Sequence, residues 1–485
     1  MKNQLFRKRD IASIQAEAFA QNSDLKRSLS LVNLVMLGIG AIIGTGIFVI
    51  TGTAAANYAG PALTISFVIS ALGCVMAALC YSEFAAMIPV AGSVYTYSFV
   101  TMGEFMGWLV GWTLVLEYLF VSSSVAVGWS GYMVSLLTEF GINIPDILCN
   151  PPLDHTDAGW FLTGNIVNLP CVFIVAVVAA LLIGGLTQSS WVNNVIVIIK
   201  ITVILLFIGF GLSYIDTSNW SPYIPENAGV YGKFGWSGIM RGAAVIFFAY
   251  LGFDAISTVA GEVKNPQRNM PRGIILSLVI CTLLYVIVTA VLTGIVNYKE
   301  LDVPAPMALA IDSAKDLTWL SPLIKIGAIA GITSVIMVMM LAQSRIYYAV
   351  SKDGLFPPFF SKVNKKHVPQ NGTIIAALAT GLVSASLPLH VISELVSIGT
   401  LLAFTIVCIA VLVLRKTQPN LDRPFKCPLV PLVPILGVLI CGYQMVSLSG
   451  DTWIRLICWT AVGLCIYFFY GRFHSVLKDS NDDNE

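Results

Sequence analysis

Charge is scarce in this chain. Of its 485 residues only 11% are Asp, Glu, Lys or Arg, against 57% that are hydrophobic, whereas a soluble domain needs about 25% charged residues to cover its surface. That deficit excludes a disordered chain. The 27 basic and 26 acidic side chains nearly cancel, so no field of one sign is available to gather nucleic acid. Histidine is rarer still: the four, His155, His367, His390 and His474, fall in connections, at edges of apolar runs or in the tail. With no HExxH string and no clustered Cys/His pattern, no metal site is expected. Two GxSG strings, at 128–131 and 235–238, lack a base for their serines, so no catalytic residue is expected and the chain does not read as an enzyme. Ten cysteines are present, but Cys74, Cys80, Cys281, Cys408, Cys458 and Cys465 sit inside apolar runs. There a thiol behaves as a small hydrophobe, which excludes a secreted disulfide scaffold. An integral membrane protein is the class that fits, with the lipid bilayer as its solvent.

A bilayer core of about 30 Å takes roughly 20 apolar residues of helix. Twelve runs of that kind are legible, near 31–56, 61–88, 104–137, 166–185, 193–214, 235–260, 273–296, 321–350, 373–389, 391–414, 430–447 and 453–470. The start, with Arg7, Lys8, Arg9 and Asp10, is polar to Ser30, and the first apolar run is too long for the core of a cleavable signal. Twenty of the 27 Lys and Arg fall in the two tails and in alternate connections, and only Lys233, Lys299 and Lys315 fall in the opposite ones. Basic residues stay on the cytoplasmic side, so both termini are expected there, in a multi-pass protein of a bacterial cytoplasmic membrane.

Two runs are poor plain helices. The first carries Gly38, Gly40, Gly44 and Gly46 within nine residues, and each interior glycine costs about 1 kcal/mol relative to alanine. The sixth reads Phe247-Phe248-Ala249-Tyr250-Leu251-Gly252-Phe253-Asp254, in which Asp254 can cap a half-helix that starts after Gly252. Both runs are expected to stop and restart at mid-membrane. Gly40 and Gly44 also form a GxxxG pair, which by itself indicates close helix packing, yet packing alone gives no reason for a second interruption 206 residues further on, at Gly252. The same offset carries runs two to five onto runs seven to ten. Each unit has an odd number of spans, so the second lies inverted relative to the first. Inverted repeats with interrupted helices are the sequence pointer to a secondary transporter with its site at the midplane. The expected organisation is a tail (1–30), a first five-helix repeat (31–214), a second inverted repeat (235–414), two further helices (430–470) and a tail (471–485).

At such an interruption one half-helix offers bare N–H groups and the other bare carbonyls. Two side by side can receive a zwitterion, its carboxylate on the amides around Thr45 and Gly46 and its ammonium on carbonyls around Ile42 and Phe248 to Leu251. An α-amino acid fits that pattern better than a sugar. Charged side chains within spans are costly and usually functional. Lys200 lies deep in its run, either as a snorkelling amine or as a buried one whose protonation is tied to a conformational cycle. Glu117 is the deepest carboxylate, able to meet a substrate cation, a proton or another side chain. Glu83, near the end of the second run, reads as a structural or gating charge.

The string from Gly38 to Phe48, the Pro89-Val90-Ala91-Gly92-Ser93-Val94-Tyr95-Thr96-Tyr97 stretch, Phe253-Asp254, and Glu262-Val263-Lys264-Asn265-Pro266-Gln267-Arg268 through Pro271 resemble the amino acid-polyamine-organocation superfamily, over about 31–470. The twelve-span form with Lys200 in span five is most similar to bacterial members of its cationic amino acid transporter branch. The resemblance implies an all-α, LeuT-type fold of 12 transmembrane helices, a 5+5 inverted repeat with helices 1 and 6 broken at Gly44 and Gly252, plus two C-terminal helices. It implies proton-coupled uptake with no cofactor besides the coupling proton. Protonated Lys200 then stands where sodium-driven relatives hold their ion, bridging the first span and span eight. By the same likeness Ile42, Thr45 and Gly46 with Phe248, Ala249 and Leu251 hold the amino acid backbone, and Glu117, Phe253 and Met339 shape the side-chain pocket. Met339 falls where arginine carriers tend to keep a small residue, which favours a small neutral substrate such as alanine beside a cationic one such as arginine. An exchanger of the same fold and a non-transporting amino acid sensor are the alternatives. The sequence names neither an oligomeric state, a bound lipid nor a small single-span partner.

Overall fold

Backbone amides and carbonyls must bond one another where no water reaches, and the apolar runs of this chain form helices throughout. The computed structural model describes residues 7–8, 11, 29–89, 93–156, 159–184, 190–258, 260, 263–303, 305–364 and 368–476. Val90, Ala91, Gly92 and Glu262 of the motifs above, His367, and most of both tails lie outside the described residues. In order, the main helices are α1 (Leu31–Ile42), α2 (Leu63–Met87), α3 (Ser93–Met102), α4 (Glu104–Glu139), α5 (Leu169–Ile183), α6 (Ser190–Gly211), α7 (Gly235–Ile246), α8 (Phe253–Thr258), α9 (Pro266–Ile295), α10 (Pro306–Ser313), α11 (Ser321–Lys352), α12 (Gln370–Ser386), α13 (Leu389–Thr417), α14 (Leu432–Val446) and α15 (Gly450–Ile466). Eight helical segments among the described residues are long and apolar enough to cross a membrane, and three shorter apolar helices, α1, α5 and α14, accompany them. The chain is a multi-pass integral membrane protein.

Two differences from the sequence reading have local causes. The second half of the first run and the whole of the second form one 42-residue helical stretch, Gly46–Met87, bent at Gly60. That residue takes φ +61° with Pro225 packed against its Cα, a conformation glycine adopts without steric cost. The connection from α4 to α5 also holds an antiparallel hairpin, β1 (Leu153–Thr156) with β2 (Gly159–Leu162), too short for a strand pattern to register in the sequence.

Eight of these helices pack as two sets of four. In one, α9 lies along α1 and α2, and α2 also meets α7; in the other, α4 and α11 pack together with α5 and α12. The centre is α4, whose most apolar stretch is 94% buried. Such burial of a 36-residue helix requires small side chains at close crossings. Ser122 and Ser123 meet the requirement by returning their hydroxyls to the carbonyls of Tyr118 and Leu119 at 2.7 and 2.8 Å, so neither exposes an unpaired polar atom. Where α4 meets α15, Trp112 and Trp459 stack at 4.6 Å, and each indole donates to the other's backbone carbonyl, at 2.8 and 3.1 Å. Trp112→Ala removes the stack and the bond that the Trp112 indole donates, while the backbone carbonyl of residue 112 stays available to Trp459. The substitution is expected to lower stability by about 3–5 kcal/mol, read as a fall in the thermal unfolding midpoint of the detergent-purified protein.

Candidate functional site

Both expected interruptions are present. Helix α1 ends at Ile42, Ile43 is extended (φ −75°, ψ 100°), and helical structure resumes at Gly46 in wide π-type turns. Helix α7 ends at Ile246, tightens through Phe247–Tyr250, and passes through extended Leu251 and Gly252 (φ +117°) before α8 begins at Phe253. The two breaks touch backbone to backbone. A Cβ on Gly46 would lie 2.4 Å from Ala249 Cα, and one on Gly252 would lie 2.7 Å from the carbonyl carbon of Ala41. The glycines therefore serve both of the roles the sequence allowed. Gly44 packs on Val335 of α11 and Gly38 on Ser277 of α9, while the helix still opens between them.

Each bare backbone group at the breaks has an identifiable state. The carbonyls of Gly40 and Ile43, at the open end of α1, accept from Lys200 Nζ at 2.6 and 2.8 Å, and Ser334 Oγ on α11 lies 3.2 Å from the same nitrogen. A cation at a helix C-terminus is favourable, and here it is fully buried. Lys200 therefore does not snorkel, and Gly331, whose Cβ would crowd the lysine stem at 3.1 Å, leaves it room. Tyr285 on α9 places its hydroxyl 2.8 Å from both Ile42 O and Ala249 O, one from each break. The amides of Gly44, Thr45 and Gly46 have no hydrogen-bond partner among the described residues, and Thr45 Oγ1 is buried without one as well. Unpaired donors buried from water cost about 1–3 kcal/mol each, so this cluster is primed for an acceptor.

Below the second break the acidic residues meet. Asp254 accepts from the amide of Gly252 at 3.1 Å and from Tyr118 Oη at 2.9 Å, and the amides of Asp254 and Ala255 in the first turn of α8 also bond its carboxyl. Glu117, one residue before Tyr118, is buried beside Asp254, close enough for the two carboxyl groups to interact. Thr400 is within hydrogen-bonding reach of Glu117, and Glu117 Oε2 is left without a partner among the described residues. Phe253 packs on Phe404 at 4.8 Å and on Tyr81 at 5.7 Å, and Phe247 meets the same Phe404 at 5.4 Å. Met339 is buried on α11 and continues the face on which Gly331 meets Lys200 and Val335 meets Gly44, four residues further along.

A cavity of about 970 Å³ reaches this region from the side of the hairpin. Its deep wall includes Val49 and Ile50 past the first break, Val245 before the second, Gly128 of α4 and Ser397 of α13. The expected binding residues lie beneath that wall rather than in it. Gly128 connects the two, since its missing Cβ makes room for the Thr45 methyl. Away from this cavity, Glu83 is buried near the end of α2. Its Oε1 accepts from Arg415 Nε at 3.0 Å and Arg423 Nε at 3.1 Å, and its Oε2 from Arg415 Nη2 at 2.9 Å and the Cys427 amide at 2.8 Å. Burial draws the Arg423 guanidinium below its usual range, and the Glu83 carboxylate opposes that shift.

The sequence did not single out Tyr285, Ser334, Tyr81 or Phe404. Each is an ordinary residue of an apolar helix, and only the crossing of helices reveals its role.

A family model described as "Amino acid permease" matches residues 29–468. The chain is 45% identical over 475 residues to a methylthioribose transporter of Bacillus subtilis, covering 98% of this chain and 99% of that protein. It is likewise 45% identical over 480 residues to a branched-chain amino acid permease of the same organism, covering 99% and 100%. A vacuolar cationic amino acid transporter of Arabidopsis thaliana is 29% identical over 594 residues, covering 99% and 97%.

Gly252→Ala forces a side chain into left-handed backbone against Ala41. It is expected to lower the unfolding midpoint markedly, by about 1–3 kcal/mol of stability, whereas Gly442→Ala, where nothing lies within 4 Å, leaves it unchanged or slightly raised. Thermal unfolding of the two purified variants decides it.

Proposed function

Because this chain belongs to the amino acid permease family of the amino acid-polyamine-organocation superfamily, and is a transporter rather than an enzyme, we propose that it imports L-amino acids by proton symport through alternating access. One observation carries the proposal. The two breaks touch, and they leave unpartnered amides at Gly44 to Gly46 beside carbonyls of the second break, a pattern of opposite partial charges that suits the carboxylate and ammonium of an α-amino acid. Ile42, Thr45, Gly46, Phe248, Ala249 and Leu251 hold those groups. Phe253, Phe404, Tyr81 and Met339 offer an apolar, polarizable surface to a small or branched aliphatic side chain rather than to a guanidinium. Glu117 and Asp254 take a proton or part of the substrate's positive charge at the inner edge of the site.

The twelve helical runs form two inverted five-helix repeats, 31–214 and 235–414, with 430–470 appended. Support for this reading lies in the matched breaks and in the two packed sets, each of which draws two helices from each repeat: α1 and α2 with α7 and α9, and α4 and α5 with α11 and α12. Both termini lie in the cytoplasm, on the face rich in Lys and Arg, and the cavity then opens outward with the Glu83 clamp closed inward. Lys200 is the coupling group. Protonated, it ties the open end of α1 to α11; deprotonated, it has two donors for three acceptors and no charge to offset the end of α1, and that tie loosens.

The equal likeness to a methylthioribose transporter favours a second reading, a thioether sugar as substrate, which lacks the ammonium the carbonyls would receive. Proteoliposomes separate the possibilities. Labelled leucine or alanine is expected to accumulate under an inward proton gradient, a protonophore is expected to abolish accumulation, and Lys200→Ala is expected to lose it at least about 100-fold, near the loss of 2–3 kcal/mol of coupling. Uptake of methylthioribose alone sinks the amino acid reading. Gradient-independent counterflow that survives Lys200→Ala points to exchange, and binding without movement points to a sensor.

Glu83→Gln leaves Arg415 and Arg423 short of their shared carboxylate, a change worth about 3–5 kcal/mol at a buried pair. The variant is expected to open the inward side, so that buried Cys80 and Cys408 react with a membrane-impermeant maleimide in inside-out vesicles several-fold faster than in the unaltered protein.

A further inference from the structure

A second recess lies away from the breaks, at the start of α9. It is an open groove of about 730 Å³ between the first turns of that helix and the connection from α13 to α14, lined by Arg268, Arg272, Ile275, Leu276, Pro424 and Phe425. Arg268 and Arg272 are one helical turn apart and both exposed. Neither guanidinium has an ion pair or hydrogen bond among the described residues, and Asp422, the acidic residue of the facing connection, pairs with neither. Lys264 and Lys426, also exposed, flank them. The groove therefore presents two uncompensated cations above an apolar floor.

The floor continues into the bilayer. Below the groove α9 exposes Leu276, Val279, Leu283 and Ile287, between 42% and 59% exposed, on one face of a helix apolar enough to cross a membrane of which less than half is buried by protein. From Leu276 to Ile287 is eleven residues, about 16 Å of helix, close to the ~15 Å depth of one leaflet. A charged head at Arg268 and Arg272 with a tail along this stripe has the length and polarity of a phospholipid lying in the leaflet on the Lys/Arg-rich side. The opposite wall is anchored as well, because Pro424 and Phe425 lie between Arg423 and Cys427, both of which bind Glu83.

We propose that this groove binds the headgroup of an anionic phospholipid, its phosphate on Arg268 and Arg272 and an acyl chain on the exposed face of α9. Basic pockets between membrane helices on the side facing an anionic leaflet are where such headgroups lodge, and paired guanidinium groups suit phosphate oxygens.

The test uses the full chain in a neutral detergent and does not depend on transport. Thermal unfolding is followed with added phosphatidylglycerol, with phosphatidylcholine and with inorganic phosphate, and native mass spectrometry counts retained lipid. Phosphatidylglycerol is expected to raise the midpoint by several degrees more than phosphatidylcholine. That difference is expected to fall to less than half in the double variant Arg268→Gln, Arg272→Gln, to lose one retained lipid there, and to persist in Lys416→Gln, an exposed basic residue on the same side. The single variants carry the same test if the double variant does not fold. An undiminished difference in the arginine variants overturns the proposal. So does an equal effect of phosphatidylcholine, which would make the groove a generic apolar contact, or an equal effect of inorganic phosphate, which would make it a soluble-anion site.

Discussion

A helix that stops inside a membrane leaves carbonyls and amides with no water to bond, and the core of this protein is organised around that debt. At the open end of α1 the buried amine of Lys200 meets Gly40 O and Ile43 O, and Tyr285 reaches the next carbonyl, Ile42 O, together with Ala249 O of the other break. One amine and one hydroxyl thus fix where the helix can break, which neighbours must pack against it, and which groups remain free. The amides of Gly44 to Gly46 are the remainder. Lys200 and Tyr285 fill part of the carbonyl side from within the protein, and the amide side has no such partner among the described residues.

The choice of a lysine for this position follows from what the alternatives would do. A hydroxyl could bond one carbonyl but would carry no charge to offset the partial negative end of α1. An arginine would keep its charge through any cycle and bring a planar fork where the carbonyls call for a point donor. An ammonium on a flexible stem has three donors for three acceptors, Gly40 O, Ile43 O and Ser334 Oγ, drawn from two helices, and it can lose a proton. On the proposed reading that last property separates a carrier driven by protons from a static support. Without its proton the amine keeps only two donors and no charge, and its share of the tie between the end of α1 and α11 weakens.

Much of this arrangement was legible before any coordinates. Four glycines in nine residues, and Gly252 followed by Asp254, announced both interruptions, and a lone lysine among isoleucines and valines announced an amine that either snorkels or is buried. These signals are strong because each is costly in an ordinary membrane helix. The residues that complete the site carry no such cost. Tyr285 and Phe404 are unremarkable in apolar helices, and Ser334 is one of many small hydroxyl residues that such helices accept by bonding their own backbone. What identifies them is the crossing of α9, α11 and α13 over the breaks, a tertiary fact. The same limit explains Gly46–Met87: hydropathy dips at 57–60 as it would in a loop, yet Gly60 lets the helical stretch bend there without ending.

The two ends of the molecule are held by different chemistry, and the difference bears on how it would move. On the Lys/Arg-rich side the Glu83 carboxylate gathers two guanidinium groups and an amide into a buried knot that joins α2 to α13 and the connection beyond it. On the cavity side the comparable pair is Arg241 with Glu394 at 2.8 Å, partly exposed, with Ser449 and Thr452 sharing the second carboxylate oxygen. Both knots fasten the set of α1, α2, α7 and α9 to α13, which packs along α4 of the other set. A pair in a water-filled mouth is screened and exchanges partners with little cost, whereas a buried pair strongly resists losing one member. The Glu83 knot is therefore the stiffer of the two. On the proposed reading, a cycle that opens this protein inward supplies energy at Glu83, and the groups able to deliver it lie at the breaks, where α1 would change its hold on α11 and a solute would occupy the free amides.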